Sequence, residues 1–332
     1  MPEPAAVAII GCGLIGAKRA QALSGCRVRV CCDAVPERAQ ALAVRHPGAE
    51  PLTDWAAAVA YPEVDIAIVA TTHDQLAPIA EAAAAAGKHV LIEKPGARRA
   101  AELDPVLAAA QRTGAAVRVG FNHRYHPALQ EARRIFLSGA LGEMMFVRGR
   151  YGHGGRIGYD REWRADPRVS GGGELLDQGI HLIDLSRWFL GDFDTVQAHI
   201  ATYFWDMPVE DNAFLILTTS DGQTAFLHAT WTEWKNLFSL EIYGRTGKLD
   251  ISGLGGSYGV ERLAWHRMSP QMGPPQITIW EYPTPDNSWE LEFSEFLDDI
   301  RLCRDPVPGI RDAQAALRVI EEVYRKASVN QP

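Results

Sequence analysis

The sequence lacks the features that mark nucleic-acid-binding, secreted and membrane proteins. Its 332 residues include 33 basic and 41 acidic side chains, which gives a formal net charge of -8. Nucleic acid and anionic membranes attract a basic surface, so we expect neither as a partner. No apolar run is long enough to span a bilayer. The first residues carry no basic segment ahead of an apolar one, so we expect no secretory signal.

Cysteine is scarce and shows no paired spacing. There are five cysteines, an odd number, and none forms a CxxC pair. This pattern predicts neither a disulfide framework nor a zinc site, so we expect no bound metal. We expect a reduced, cytoplasmic protein. A length of 332 residues is enough for two domains.

The first third of the chain alternates strands with helices. Near-continuous apolar strands are predicted at residues 5–10, 27–32, 64–72, 89–95 and 116–122. The segments between them have the composition of helices, predicted at 14–23, 36–46, 54–60, 74–86 and 98–113. This alternation predicts an α/β domain over residues 1–122, with a doubly wound parallel sheet covered on both faces.

After about residue 122 the pattern changes. Strands with looser alternation follow one another, separated by turn sequences such as SDGQ and GRTGK. We expect an α+β domain over 123–332 with a large open, mainly antiparallel sheet, and a C-terminal helix at 312–327 that packs back on the first domain. Tryptophans in the segments ATYFWDM and HATWTEW suggest an apolar sheet face that forms a homodimer or homotetramer.

The stretch GCGLIG at residues 11–16 fits the G-x-G-x-x-G pattern of dinucleotide-binding loops. It follows a predicted strand and opens a predicted helix, and Asp33 ends the next strand, which is the context that the pattern requires. Gly11 permits the tight turn, Gly13 lets the backbone approach a pyrophosphate, and Gly16 lets helix and strand pack closely.

The residues around this loop favour NAD over NADP. Leu14 and Ile15 begin the helix whose N-terminal N–H groups would bind the phosphates. Asp33 is placed to bind the ribose hydroxyls and would repel the extra phosphate of NADP. Arg38, one turn into the next helix, is the residue able to neutralise such a phosphate. A helix N-cap ahead of Pro36 is an alternative role for Asp33, and both roles are compatible.

One apolar segment carries a narrow polar stripe. As an α-helix over 171–190, it places Asp177, His181 and Asp184 within roughly 60° of one another, with Trp188 below them. Buried carboxylates and imidazoles are costly unless they are paired or hydrogen-bonded. The stripe therefore either closes an internal network or faces a cleft.

These motifs together resemble the Gfo/Idh/MocA oxidoreductases, the group of glucose-fructose oxidoreductase and inositol dehydrogenase. The segments GCGLIG, AGKHVLIEKP, VGFNHRYHPAL and SGGGELLDQGIHLIDL occur in the order and spacing of that family. The resemblance implies a Rossmann domain followed by an α+β domain, with substrate bound over the nicotinamide. It also implies that Lys94, Asp177 and His181 are catalytic. The choice between Lys94 and His181 as the formal base stays open here, and Asp184 is interpreted as structural.

Further residues are assigned on the same resemblance. The expected cofactor contacts also include residues at strand ends, namely Thr71, Thr72, Glu93, Lys94 and Asn122. The resemblance also implies that Arg124 and Tyr125 contact substrate. The expected substrate contacts His153, Trp163 and Arg164 come instead from the loop at 152–166, whose mixed aromatic and basic residues suit a polyhydroxylated or anionic substrate; an ordinary surface loop is the alternative. Ordinary interdomain hydrogen bonding is an equal alternative for residues 122–125. The glycines at 171–173 either let a loop pass close to ligand or form a plain linker.

The sequence also departs from the family at two places. The usual proline is missing after Thr71 and Thr72, where His73 stands instead, and Gly96 replaces a bulkier residue behind Lys94. His126 either enters the substrate site or merely begins a helix. We expect an NAD-dependent dehydrogenase acting on a secondary hydroxyl of a sugar, sugar derivative or cyclitol. A glycosidase or epimerase that uses transient oxidation, and a non-catalytic dinucleotide sensor, are the alternatives.

Overall fold

The computed structural model describes residues 5–329 of the chain. Two compact units divide them. The first comprises residues 5–121, 168–171 and 289–314, and the second comprises residues 122–167, 172–288 and 315–329. The two units are therefore not simple consecutive halves, because two later segments group with the first one.

The first unit contains a six-stranded parallel sheet in the order β3-β2-β1-β4-β5-β6. Its strands are β1 (Ala5–Ile10), β2 (Cys26–Cys32), β3 (Glu50–Leu52), β4 (Ile66–Val69), β5 (His89–Glu93) and β6 (Val117–Gly120). The predicted doubly wound parallel sheet is confirmed. Only β3 is missing from the prediction, because three residues that include a proline carry no apolar pattern.

Five helices connect these strands. They are α1 (Leu14–Gln21), α2 (Pro36–Ala43), α3 (Trp55–Val59), α4 (His73–Ala85) and α5 (Asp104–Thr113), the last preceded by a 3₁₀ turn at Ala100–Leu103. A later helix completes the core of this unit: Phe293 and Phe296 lie buried beside Ile9 and Ile68. The chain therefore returns to the first sheet long after it has left it.

The second unit contains an eight-stranded sheet in the order β14-β13-β12-β11-β7-β10-β9-β8. Its strands are β7 (Met144–Gly152), β8 (Thr195–Ala201), β9 (Asn212–Thr218), β10 (Thr224–Thr230), β11 (Leu237–Gly244), β12 (Gly247–Ser252), β13 (Glu261–Arg267) and β14 (Gln276–Tyr282). Only the β10–β7 pair is parallel, so the mainly antiparallel sheet is confirmed. The last two strands were not predicted.

The remaining helices are α6 (Pro127–Leu137), α7 (Pro167–Ser170), α8 (Ile180–Leu190), α9 (Ser288–Leu302) and α10 (Ile310–Val329). The prediction of one continuous α-helix over 171–190 is wrong. A turn of π-helix at Leu175–Gly179 precedes α8, so the side chains before Ile180 do not follow the 100° spacing. Such π-turns are rare and are often found at functional sites.

The tryptophans do not form the expected apolar sheet face. Trp231 is fully buried and packs with Tyr159 and Val209, while Trp205 and Trp234 lie beyond the ends of their strands. The exposed apolar side chains of the sheet are others, including Ile216 and Phe226, which are direct neighbours on β9 and β10. Across residues 5–329 we find no helix with the length and apolar character needed to cross a membrane.

Candidate active site

The glycine loop between β1 and α1 has the tight geometry that its sequence predicts. Gly11 has a φ of +95°, and a Cβ there would lie 2.3 Å from the carbonyl oxygen of Ala70. A Cβ on Gly16 would lie 1.8 Å from the carbonyl oxygen of Gly11. At Gly13, by contrast, a Cβ would meet no atom of residues 5–329 within 4 Å. Two glycines thus close the loop on itself, and the third leaves an open face on the backbone.

This loop fits a dinucleotide phosphate group. Helix α1 begins after Gly13 with no side-chain cap, and its first turn has no acidic residue. Its first N–H groups therefore lack a side-chain acceptor, and they carry the positive end of the helix dipole. Leu14 is largely exposed and Ile15 is half-buried beside this N-terminus.

Asp33, at the end of β2, is hydrogen-bonded to the same loop. One carboxylate oxygen accepts a hydrogen bond from the backbone N–H of Cys12 at 2.8 Å, and the other accepts from Val35 N–H at 2.9 Å. The alternative role of Asp33 as an N-cap is wrong, since Val35 is the residue that caps α2. Each oxygen keeps a further lone pair, so a ribose hydroxyl is still a possible partner. Arg38 is exposed on α2.

The threonines that follow β4 make local contacts. The Thr72 hydroxyl donates to the Asp74 carboxylate at 2.6 Å, and the Thr71 hydroxyl donates to the carbonyl of Thr72. His73 is buried at the start of α4, and its Nδ1 lies 2.8 Å from the carbonyl oxygen of Ser170. His73, which departs from the usual family pattern, therefore fixes Ser170, the residue directly before the glycines at 171–173.

Glu93 and Lys94 end β5 in different surroundings. The Glu93 carboxylate accepts a hydrogen bond from the buried guanidinium of Arg19, which also pairs with Glu292 of α9. Burial raises the pKa of Glu292, against the opposing effect of the Arg19 charge. These contacts favour a structural role for Glu93. Lys94 is half-buried directly after the strand. A Cβ added to Gly96 would lie 3.6 Å from side-chain carbons of Leu103 and Val119, which is ordinary van der Waals contact.

The segment after β6 turns back in a 3₁₀ helix, Asn122–Tyr125, whose residues are all buried. The Asn122 side-chain amide donates to the hydroxyl of Ser288 at 3.0 Å. The Arg124 guanidinium donates to both carboxylate oxygens of Asp184, at 2.9 and 2.6 Å. This bidentate pair agrees with the structural interpretation of Asp184 and gives Arg124 a structural partner.

The π-turn places Asp177 against an arginine that the sequence assigned separately. Arg164 Nε donates to one oxygen of Asp177 at 2.9 Å. Burial would lower the pKa of Arg164, but the charge and hydrogen bond of Asp177, together with Tyr159 and the charge of Glu162, outweigh burial and raise the pKa. Arg164 also lies over the Trp163 ring. Two of the predicted substrate residues and one predicted catalytic residue therefore form a single cluster.

A buried glutamate that the sequence analysis missed holds this turn. Glu210 accepts hydrogen bonds from the backbone N–H groups of Gly173 and Leu175, and from the hydroxyl of Tyr324 at 2.8 Å. Burial raises its pKa, although these hydrogen bonds oppose the shift. A Cβ on Gly172 would lie 2.0 Å from the Tyr324 hydroxyl oxygen. Gly172 and Gly173 are thus needed for close approach to protein groups, which a plain linker would not require, and the approach of this run to ligand stays a prediction.

The polar stripe continues with His181, which is 3% exposed. Its ring stacks on that of His123, with centroids 3.7 Å apart and planes 18° apart. Tyr151 of β7 lies edge-on to His123, and its hydroxyl is 3.5 Å from His123 Nε2. His123 was missed by the sequence analysis, which singled out its neighbours Asn122, Arg124 and Tyr125. The signal available was a second histidine inside the FNHRYH segment.

The other predicted substrate residues lie in the loop after β7 and at the start of α6. His153 accepts a hydrogen bond from the backbone N–H of Gly155, and its ring meets Tyr159 edge-on. His126 occupies the N-cap position of α6, as its alternative interpretation predicts. Its Nδ1 lies 3.0 Å from a carboxylate oxygen of Glu261.

Two family models match the chain. The model of the oxidoreductase family with an NAD-binding Rossmann fold matches residues 5–121. The model of the GFO/IDH/MocA C-terminal domain matches residues 129–250. The chain belongs to the Gfo/Idh/MocA family. The resemblance read from the motifs is therefore confirmed, and so is the expectation of an NAD-binding Rossmann domain of the oxidoreductase type.

The curated relatives of this family member include sugar and cyclitol dehydrogenases. A levoglucosan dehydrogenase from Pseudarthrobacter phenanthrenivorans is 31% identical over 58% of this chain. The chain spans only half the length of that relative, whereas its match to an inositol 2-dehydrogenase from Salmonella typhimurium covers 87% of the chain and 84% of the enzyme at 26% identity. These names lend no support to the glycosidase, epimerase or sensor alternatives.

Solved structures show the same fold. A levoglucosan dehydrogenase in complex with NADH and levoglucosan has a TM-score of 0.89 and covers 98% of this chain and 97% of its own, at 24% identity. An aldose-aldose oxidoreductase from Caulobacter crescentus has a TM-score of 0.85, covers 98% of both chains and is 26% identical. Both units of the chain therefore have counterparts in dehydrogenases of known structure.

Proposed function

We propose that the chain oxidises a secondary hydroxyl group of a sugar, sugar derivative or cyclitol with NAD, or reduces the corresponding ketone. The observation that carries the proposal is the hydrogen bond between Arg164 and buried Asp177, four residues before buried His181, in a chain whose glycine loop fits a dinucleotide. The levoglucosan and inositol dehydrogenases among the relatives support the substrate class.

In the proposed reaction, Lys94, Asp177 and His181 act on the same hydroxyl group. When bound, NAD supplies a hydride acceptor at its nicotinamide ring. We assign the hydroxyl proton to His181, because a neutral imidazole is a good acceptor near neutral pH. The Lys94 ammonium donates a hydrogen bond to the reacting oxygen and stabilises its developing charge. Arg164 holds the Asp177 carboxylate in place through the 2.9 Å hydrogen bond.

A substrate panel tests this activity. The purified protein is mixed with NAD and with inositols, levoglucosan, apiose, common aldoses and nucleotide sugars, and the absorbance of reduced nicotinamide is followed. We expect at least one of these compounds to give continuous turnover. Absence of any absorbance change would contradict the proposal, and product formed over a retained cofactor without net NADH would point to an epimerase or glycosidase.

Three substitutions test the assigned residues against matched controls. Lys94→Ala, Asp177→Asn and His181→Asn are each expected to lower kcat by about 10²–10⁴-fold, the usual contribution of a proton-transfer group. Lys235→Ala and His199→Asn change exposed side chains of the same types. Those controls are expected to keep kcat within about twofold, and equal losses in both sets would contradict the assignment.

We propose NAD as the preferred cofactor, with phosphate binding by Gly11, Gly13, Leu14, Ile15 and Gly16. Further contacts come from Asp33, Thr71, Thr72, Lys94 and Asn122. Asp33 favours NAD because its carboxylate would repel the extra phosphate of NADP. Asp33→Ala is expected to narrow the ratio of NAD to NADP affinity by at least about tenfold, and an unchanged ratio would contradict the role.

The substrate contacts proposed are Tyr125, His153, Trp163 and Arg164, with Arg124 acting through its pair with Asp184. Aromatic and basic side chains together suit a polyhydroxylated ligand, since rings cover its C–H faces and charged groups bind its hydroxyls. Trp163→Ala is expected to raise KM for the best panel substrate while the dissociation constant of NAD stays unchanged. A loss of NAD affinity instead would contradict a substrate role.

We further propose a cytoplasmic homodimer or homotetramer. The five cysteines are all free thiols, as a reducing compartment allows. Ile216 and Phe226 are neighbouring apolar side chains, each more than 40% exposed on the second sheet. Light scattering coupled to size-exclusion chromatography tests the oligomer. The double substitution Ile216→Asp and Phe226→Asp is expected to yield monomers, and an unchanged mass would reject this surface.

A further inference from the structure

A second histidine lies against the proposed catalytic one. The rings of His123 and His181 are nearly parallel, with centroids 3.7 Å apart. Both residues are at least 95% buried, so neither ring is surrounded by water that would screen a charge. Two imidazolium rings at this separation repel strongly, which makes the doubly protonated pair unfavourable.

His123 is itself held on its other sides by rings. Tyr151, His126 and Phe238 contact it edge-on, with centroid distances of 5.2, 5.7 and 6.0 Å. Tyr151 shares a further hydrogen bond with the hydroxyl of Tyr258, and burial raises the pKa of Tyr258 to about 12. Both phenols therefore stay protonated at neutral pH and offer no negative charge to the histidines.

The charged and titratable groups around the pair come from several elements. On the helix side they are Glu174, Asp177 and Asp184; on the 3₁₀ turn and α6 they are Arg124 and His126; on the sheet side they are Tyr151, Tyr258 and Glu261. Asp177 pairs with Arg164 and Asp184 pairs with Arg124, while Glu174 is fully buried. His126 lies beside Glu261, and it is edge-on to His123. The near-parallel stack on His123 therefore brings a second titratable ring directly against His181.

Resting on the function proposed above, we infer that His123 is a positioning residue that fixes the His181 ring by stacking and limits the pair to one positive charge. A proton taken up by His123 disfavours protonation of His181, which then stays neutral and ready to accept the hydroxyl proton. The role belongs to this chain's own residues and needs no contact between His123 and substrate.

Histidine titration by NMR tests the inference without any substrate. The protein is labelled with ¹³C-histidine, and the ring signals of His123 and His181 are assigned by their loss in His123→Phe and His181→Asn. In the unmodified chain we expect the two curves to deviate from single-site titration, with midpoints separated by more than about one pH unit. In His123→Phe we expect His181 to titrate as one site, with its midpoint raised by about half a unit or more, because the repulsive partner is gone and a phenyl face attracts cations.

Independent single-site curves in the unmodified chain, with a His181 midpoint that does not move in His123→Phe, would overturn the inference. If His123→Phe fails to fold, the shape of the His181 curve in the unmodified chain, assigned through His181→Asn, still decides the matter. His199→Phe is the matched control, since His199 is exposed and stacks on neither ring of the pair. It is expected to leave both curves unchanged.

Kinetics give a second, separate measure where the panel has yielded a substrate. His123→Phe keeps a flat ring against His181, so we expect kcat within about fivefold of the unmodified enzyme and the acidic limb of kcat/KM moved to higher pH. His123→Leu removes the flat ring, so we expect kcat to fall at least tenfold with an unchanged NAD dissociation constant. Equal kcat in all three proteins would reject the positioning role, whereas an inactive unmodified chain with coupled NMR curves would reject only the proposed function.

Discussion

The buried pair of Arg124 and Asp184 offers the sharpest stability prediction. Asp184→Asn keeps the shape of the side chain but removes the negative charge that receives two hydrogen bonds, at 2.9 and 2.6 Å. The two side chains are 5% and 1% exposed, so solvent screens the lost interaction poorly. Removing one partner of such a buried pair typically costs about 3–5 kcal/mol.

The surroundings of the pair argue against a value at the lower end of that range. Arg124 lies over Trp188, and Arg133 lies over the same ring. Burial and the charge of Arg124 already lower the pKa of Arg133. Without Asp184 the two guanidinium groups would face each other across one tryptophan with less compensating charge. We therefore expect Asp184→Asn to lower the free energy of unfolding by about 4 kcal/mol.

Urea unfolding followed by circular dichroism measures the effect. The control is Asp192→Asn, which breaks the Arg187–Asp192 pair at the end of α8, where Asp192 is 77% exposed. A surface pair contributes about 0–1 kcal/mol. The second control is Arg124→Met combined with Asp184→Leu, which is expected to recover most of the loss because no buried charge is left. A loss in Asp184→Asn no larger than that in Asp192→Asn would refute the reasoning.

Three further predictions concern the glycine loop and the π-turn that Glu210 holds. Gly11→Ala forces a Cβ to within 2.3 Å of the Ala70 carbonyl oxygen, so isothermal titration should show NAD affinity reduced at least about tenfold. Tyr324→Phe removes a 2.8 Å hydrogen bond to buried Glu210, and urea unfolding should show a loss of about 1.5–3 kcal/mol. The folded-state pKa of Glu210 is raised, so its ionisation destabilises the fold from about pH 4.5 upward. The free energy of unfolding of Glu210→Gln should therefore lie least below that of the unmodified chain at high pH. A difference between the two proteins that grows with pH would contradict this direction.

The sequence predicted the first unit well because its signals are local. A few consecutive residues are enough to recognise each of them: the glycine loop, the acid at the end of β2 and the apolar strands. Strands β13 and β14 were missed because neither has one fully buried face: β13 ends in three half-buried positions, and β14 has four exposed and three half-buried positions and none that is buried. Strand β13 is placed by pairing with β12, and β14 by pairing with β13, and such pairing is not a local property.

The candidate site was predicted only in part for the same physical reason. Asp177 and His181 were found from their spacing, but the π-turn between Leu175 and Gly179 changes the register that this spacing assumes. The contacts that define their surroundings come from distant positions: Arg164 binds Asp177, and Glu210 holds the turn through backbone N–H groups. No periodicity in the sequence joins such pairs, so only coordinates reveal them.

Transfer of an isotopic label tests the central claim most directly. A panel substrate carrying deuterium on its carbinol carbon is incubated with NAD, and the reduced cofactor is analysed by NMR. The account predicts that deuterium appears on the nicotinamide ring with the unmodified protein. We also expect Lys94→Ala and His181→Asn to lose this transfer at NAD concentrations that saturate each variant. Label released to water, or transfer at an undiminished rate in both variants, would contradict it.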